Sequence, residues 1–298
     1  MNQKNIEKLI SHALAIEEEE AKQAGALGYM ARSLVQATLP HKNPGSINVW
    51  ERSNGNFSMF MQPGYKKDKY KKVCSIGLPY GTKPRLVMAF ISSEAVRTKS
   101  REIVLGRSLS EFMRQLNLDP TGGRWGTIPM LKEQMKRLFS ATVSFQYNGQ
   151  SAEISGGFRI ASRTVLFWDP NSPNQTTLWE STVTLTQEFY DEIIAHPVPL
   201  DMRALAALKG SSLALDIYCW LTYRMSYLQR PTEIPWERLA MQFGSEYSET
   251  RDFKKNFLKQ LRKVFVIYTP SVEQCENGLL LKPSKPHIPT PMKVVDNA

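Results

Sequence analysis

Cysteine is scarce in this chain. The three present among 298 residues, Cys74, Cys219 and Cys275, lie far apart with no C-x-x-C pair, which argues against a disulfide framework and a thiolate zinc site and fits a reducing cytoplasm. Histidine is nearly as rare. His12, His41, His196 and His287 are mutually remote and form no H-x-H, so the clustered histidines that a metal-dependent nicking site sets beside a tyrosine nucleophile are missing. Long apolar runs are missing too. The most apolar stretch, "LALDIYCWLTYRMSYL", is interrupted by Asp216 and Arg224 and is short for a membrane span, and "MNQKNIEKLISHALAIEEEE" places acids where a signal peptide needs a continuous apolar core. "GLPYGTK" has the wrong spacing for a phosphate loop, and Pro84 stands where that loop needs Ser or Thr. No Ser/His/Asp or Cys/His arrangement can be assembled from spacing, and Glu94 and Asp216 fall on predicted helices without identifiable partners. The expectation is a non-enzyme with no cofactor and no metal.

What the chain has is positive charge. Its net charge of +10 and pI near 9.4 favour attraction to a polyanion: nucleic acid, an anionic membrane surface or an acidic partner. Its length exceeds the usual single domain, so two domains plus an accessory segment are expected. Residues 2–38 read as helix, with Ile6, Leu9, Ile10, Ala13 and Ile16 at helical spacing before a Glu17 to Glu20 block, and Gly25 and Gly28 as break points. "YKKDKYKK", 65–72, reads as a solvated linker, with a phosphate-touching tail as the other reading.

From Leu78 the pattern becomes globular. A helix with Pro84 in its first turn, the strand "REIVLG", a helix capped by Ser108, the loop "DPTGGRW", a helix over 128–139 and a hairpin turning at Asn148-Gly149 follow in order. After a connecting region, 168–199, the order recurs: an apolar core helix in "SLALDIYCWLTYRMSYL", the brief strand "TEI", the helix "WERLAMQF" opened by Pro235, a helix that Ser248 can cap, and strands about Asn277-Gly278. "QMKRLF", 134–139, aligns without a gap on "QLRKVF", 260–265, which supports internal duplication.

The last helix, "RDFKKNFLKQLRKVF", separates two faces. Phe253, Phe257, Leu258, Leu261, Val264 and Phe265 fall within one arc, while Lys255, Asn256, Lys259, Arg262 and Lys263 lie opposite. Lys254 projects into the apolar arc near the helix start, where it is expected to join Arg251 and Lys255 at an exposed tip. A charged face is usually only solvated, and cations near a helix C-terminus are favoured by the macrodipole. Here acids are nearly absent from the face, a shorter helix precedes it and a hairpin follows, which is the order of a winged helix-turn-helix. The first copy places Lys132, Lys136 and Arg137 beside Glu133, and "TGGRWG" puts Arg124 and Trp125 in a glycine-rich loop that suits phosphate approach.

The stretch "LPYGTKPRLVMAFISSEAVRTKSREIVLGRSLSEFMRQLNLDPTGGRWGTIPMLKEQMKRLFSATVSF", 78–145, closely resembles the RepA family of plasmid replication initiators, and the similarity continues through "LALDIYCWLTYRMSYLQRPTEIPWERLAMQFG" to "LKPSKPHI". The resemblance, which does not reach the arm before about Lys72, implies tandem winged-helix domains; with the helical reading of the N-terminus the expectation is an α+β fold divided as 1–72 N-terminal helical arm and lysine-rich linker, 73–200 first winged-helix domain, 201–290 second winged-helix domain and 291–298 tail. It implies binding of double-stranded DNA at repeated origin sites (iterons), origin opening, recruitment of the host initiator and replicative helicase, and a homodimer in exchange with monomer that restrains copy number. The expected location is the bacterial cytoplasm, on nucleoid or plasmid, with no membrane partner. The residues expected to touch DNA are Arg124, Lys132, Lys136, Arg137, Arg251, Lys254, Lys255, Lys259, Arg262 and Lys263. The competing readings are a winged-helix transcriptional repressor without origin-opening activity, and an assembly protein that pairs through its N-terminal arm.

Overall fold

The computed structural model describes residues 3–289 except 151, 170, 245 and 246; the expected tail, 291–298, lies outside them. The N-terminal region departs from the expected helical arm. Helix α1, Gln3–Glu18, ends far short of residue 38, and β1, Leu27–Ala31, leads into the short α2, Arg32–Gln36. Strands β2, Trp50–Asn54, and β3, Phe57–Gln62, follow, and the lysine-rich stretch is a hairpin of β4, Tyr65–Lys67, and β5, Val73–Ser75. Burial explains the difference: Met59 and Met61 are fully buried, paired across the sheet with Phe145 and Val143, so residues 50–62 complete a core rather than tether one.

Helix α3, Thr82–Thr98, is followed by β6, Glu102–Gly106, α4, Leu109–Gln115, α5, Thr127–Ser140, and the strands β7, Thr142–Asn148, and β8, Glu153–Arg159. Ser108 caps α4 as expected, its hydroxyl accepting from the Glu111 amide at 3.2 Å. Strand β9, Ala161–Val165, β10, Ser181–Leu185, α6, Gln187–Ala195, β11, Pro197–Asp201, and α7, Met202–Leu208, form the connection. Then come α8, Ser212–Tyr227, β12, Thr232–Pro235, α9, Trp236–Phe243, α10, Thr250–Ile267, β13, Val272–Gln274, and β14, Gly278–Leu281. The cap of α10 is Glu249, without a side-chain bond, and not Ser248.

The recurring element order is therefore present, from α3 to β8 and again from α8 to β14, but the strands are shared differently. In the second copy β14 pairs with both β13 and β12. In the first, the returning strand breaks at the fully buried Ile160: β8 stays with β7, while β9 joins β10, which pairs with β6. Strand β7 is then free to take β3 on its other edge, giving the order β2-β3-β7-β8, and β1 pairs with β11. The fold is mixed α and β with small antiparallel sheets.

Helices α3 and α8 are the inner helices of the two copies, and a buried ion pair joins them. Asp216 on α8 accepts from Arg85 on α3 through both carboxylate oxygens, at 2.7 Å each, and His41 Nε2 donates to the same carboxylate at 2.8 Å. Arg85 also donates to the carbonyls of Leu39, Pro40 and Gly81. Burial pushes the Asp216 carboxyl up, yet the Arg85 charge and the His41 and Arg85 hydrogen bonds outweigh it and hold the group below the usual carboxylate range. Burial also lowers His41, outweighing Asp216, so the ring is neutral near neutral pH.

Asp216→Ala strands a buried guanidinium and is expected to cost about 3–5 kcal/mol in urea unfolding; a loss below about 1 kcal/mol would contradict this account of the pair. Because the folded pKa of His41 lies below its ordinary 6.5, the unfolded chain binds the proton first as pH falls. Its contribution is thus intact above pH 6.5 and lost on acidification, with Asp216 adding a loss of the same sign below about 3.8. Urea midpoints at pH 7.5 and 5.5 should differ less in His41→Gln than in the parent chain.

Candidate nucleic-acid interface

Helix α10 presents its cations as one stripe. Arg251, Lys255, Lys259 and Arg262 are spaced by four, four and three residues, so they share a face, and all four are exposed. At 1.5 Å per residue the stripe runs about 16 Å. The opposite face carries the fully buried Phe253, Phe257 and Val264, with Leu261 nearly so, packed against α8 and α9. Acids scarcely offset the stripe: Arg251 lies 3.8 Å from Glu249, but both side chains are largely exposed, a weak pair, and Asp252 sits in the first turn, where the helix dipole favours a carboxylate.

Two expected contacts on this helix are placed otherwise. Lys254 is half-buried, its ammonium 5.0 Å over the Trp236 ring and donating to the Glu276 carbonyl at 3.3 Å, so it ties α10 to α9 and to the β13–β14 turn instead of joining an exposed tip. Lys263 is also half-buried, and burial with Lys259 nearby lowers its pKa. Lys254 projects into the apolar arc and Lys263 from the cationic side, and for each the neighbouring elements and not the helical angle alone decide the surroundings.

Helix α5 carries the weaker version. Lys132 and Lys136 are exposed on one stripe. Arg137 is not available in the same way: its side chain is 13% exposed, ion-paired with Glu133, donating to the Leu78 carbonyl at 3.1 Å and lying 5.2 Å over the Tyr80 ring. Gly77, at φ +86°, leaves room for that guanidinium; a Cβ there would come within 2.9 Å of it. At the other end of α5, Arg124 and Trp125 are both exposed, Trp125 at 82%, with the guanidinium 5.0 Å over the indole. This pair projects from the glycine-rich loop singled out in the sequence.

The duplicated hexapeptides occupy the same place in each copy, position by position. Gln134 and Gln260 are buried, Met135 and Leu261 are core, Lys136 and Arg262 are exposed, Arg137 and Lys263 are half-buried, and Leu138 and Val264 are fully buried. One cation is free and the next is held, twice.

Residues 78–237, just over half of the chain, match the family described as plasmid-encoded RepA protein. The chain belongs to the RepA family of plasmid replication initiators. The fold of this RepA-family chain is similar to crystal structures of RctB domains 2 and 3. A selenomethionine derivative superposes with a TM-score of 0.52 at 12% identity, covering 77% of this chain and 81% of that one. Another crystal structure of RctB domains 2–3 gives 0.49 at 12% identity over 78% and 82% of the two chains. No curated protein matches. Among the described residues no helix is long and apolar enough to cross a membrane.

Arg137→Ala should lower stability by about 1–2 kcal/mol, since it removes a largely buried guanidinium and leaves the Leu78 carbonyl without that donor, whereas Lys136→Ala should stay within about 0.5 kcal/mol. Equal thermal melts for the two variants would show that Arg137 is as free as its neighbour.

Proposed function

We propose that this RepA-family chain initiates replication by binding repeated duplex sites in a plasmid origin through two winged-helix units, residues 73–200 and 201–290. Strands β2 and β3 extend the sheet of the first unit. The observation that carries the reading is the Arg251–Lys255–Lys259–Arg262 stripe: exposed and almost without acids, on the second helix of a helix–turn–helix order, in a chain of a plasmid initiator family. A helix about 10–12 Å across fits the major groove, about 12 Å wide, and a cationic face can touch phosphates on either wall.

In this reading α10 lies in one major groove, and Lys132 and Lys136 of α5, with Arg124 and Trp125 at its start, engage an adjacent part of the same site. Joining two weak contacts in one chain makes the second docking intramolecular, so modest half-sites sum to a specific one. Phosphate contacts set register and make affinity strongly salt-dependent, while few side chains read bases. Origin opening, recruitment of host initiator and helicase, and exchange between monomer and dimer complete the proposed role. A repressor would use the same contacts without opening DNA, and duplex opening on a supercoiled plasmid carrying the cognate origin separates the two.

Reversing charge in Lys255→Glu/Lys259→Glu should weaken binding to an origin-repeat duplex at least about 100-fold at 0.1 M salt and reduce the salt slope by about two, with an unchanged circular dichroism spectrum. Unaltered affinity in fluorescence anisotropy would remove α10 from the interface. Lys132→Ala/Lys136→Ala should weaken protection over a different part of the footprint; identical footprints would count against a second DNA-binding unit.

A further inference from the structure

The lysine-rich stretch that reads as a linker is an ordered hairpin, and its position gives it a role. Strand β4 pairs with β5 in register, Tyr65 opposite Ser75 and Lys67 opposite Val73. Its single acid is committed to the turn: the Asp68 carboxylate accepts from the amides of Tyr70 at 2.8 Å and Lys72 at 2.9 Å, and Lys71 takes the left-handed conformation at φ +63°. Asp68 therefore shapes the tip and is not spent on the lysines. Lys66, Lys67, Lys69, Lys71 and Lys72 are all exposed, and among the described residues none forms an ion pair. Tyr65 and Tyr70 are exposed at 59% and 76%, with the Lys69 ammonium 4.8 Å over the Tyr70 ring.

The root of this hairpin sits against α5. Gly64 packs on Ser140 so closely that a Cβ would fall 2.5 Å from the serine Cβ, and the Gly64 carbonyl accepts from Ile76 to close the base. Ser140 lies four and eight residues beyond Lys136 and Lys132, on the same stripe of the helix. The exposed cations of α5 thus lead directly to the foot of the hairpin. The paired strand from Tyr65 to Lys67 spans about 7 Å at 3.3 Å per residue, and the turn over 68–72 carries Lys69, Tyr70 and Lys71 beyond it.

We propose that the β4–β5 hairpin is an additional DNA-binding wing, which grips the phosphate backbone flanking the groove that α5 enters, through its five lysines with the two tyrosines lying along the sugars. This deepens the duplex-binding reading and rests on it. Contacts of this kind carry no base information, so the wing adds affinity and register and not sequence preference.

The test uses the full chain and a fluorescein-labelled 30-base-pair duplex of arbitrary sequence, titrated by anisotropy from 50 to 200 mM salt. Three forms are compared: the parent, a variant with all five lysines changed to Gln, and one with all five changed to Arg. The Gln form should lose about 3–4 from the slope of log affinity against log salt, and bind at least about tenfold more weakly at 0.1 M, while the Arg form keeps the parent's slope. Thermal melts control for folding, and Asp68 is untouched in every form so that the turn survives. If the parent binds and the Gln form matches it in slope and affinity, the wing is overturned and the duplex-binding reading stands. If the parent binds no duplex at all, both fall. A Gln form that loses only adsorption to vesicles of anionic phospholipid, with duplex binding unchanged, also overturns the proposal, since the surface then serves a membrane.

Discussion

The contact on which the geometry depends is the buried carboxylate of Asp216. It meets Arg85 through two parallel hydrogen bonds and His41 through a third, and Arg85 spends its remaining donors on three backbone carbonyls from residues 39, 40 and 81. A buried ion pair repays its desolvation only when its lone pairs and protons are nearly all satisfied, and this one is close to that limit. Unlike an apolar contact it is directional: it fixes α3 against α8 in rotation as well as distance, and pins the 39–41 segment to both. Helix α5 packs on α3 and α10 packs on α8, so this pair of charges, together with the packing of α9 on β2 and of α2 on α8, helps set the relation between the two cationic helices. A duplex spanning both would meet a rigid spacing and not a tethered one.

The sequence made α5 and α10 legible because a helical core face repeats within a few residues and needs no distant partner to be recognised. The apolar arc of Phe253, Phe257, Leu261 and Val264 is the buried face, and the gap-free hexapeptide match places equivalent side chains at equivalent depths. Angle around a helix says which side a residue takes, however, and not how far the neighbouring elements rise beside it. Lys254, Lys263 and Arg137 are each overlapped by something remote in sequence or by packing alone: Trp236 and the Glu276 carbonyl for Lys254, burial for Lys263, Leu78 and Tyr80 for Arg137.

The N-terminal region was poorly legible for a different reason. Strand β1 finds its partner β11 some 170 residues later, and β3 finds β7 beyond three helices, so nothing within a local window shows that these segments are paired. Asp216 suffered likewise, since its partners, Arg85 and His41, are far away in the chain. The hairpin at 65–75 did carry a local signal. An Asp followed at two and four residues by amides that its carboxylate can accept is turn chemistry, and that signal was masked by the surrounding lysines, which read as solvated.

The charge pattern on α10 works against the helix that carries it. Arg251 and Lys255, Lys255 and Lys259, and Lys259 and Lys263 are like-charged neighbours four residues apart, each pair costing roughly 0.2–0.5 kcal/mol in an isolated helix. Burial lowers the pKa of Lys263, and the neighbouring Lys259 charge adds to the shift. A surface selected only for stability would alternate signs at these spacings, as Glu133 and Arg137 do on α5. Where the fold instead keeps cations in register and ties the helix down through Lys254 and its buried phenylalanines, the repulsion is held in the protein, and in the proposed DNA-bound state phosphates would relieve it. Such a release would add to affinity without any contact to a base, and would disappear as salt screens the lysines from one another and from phosphate alike.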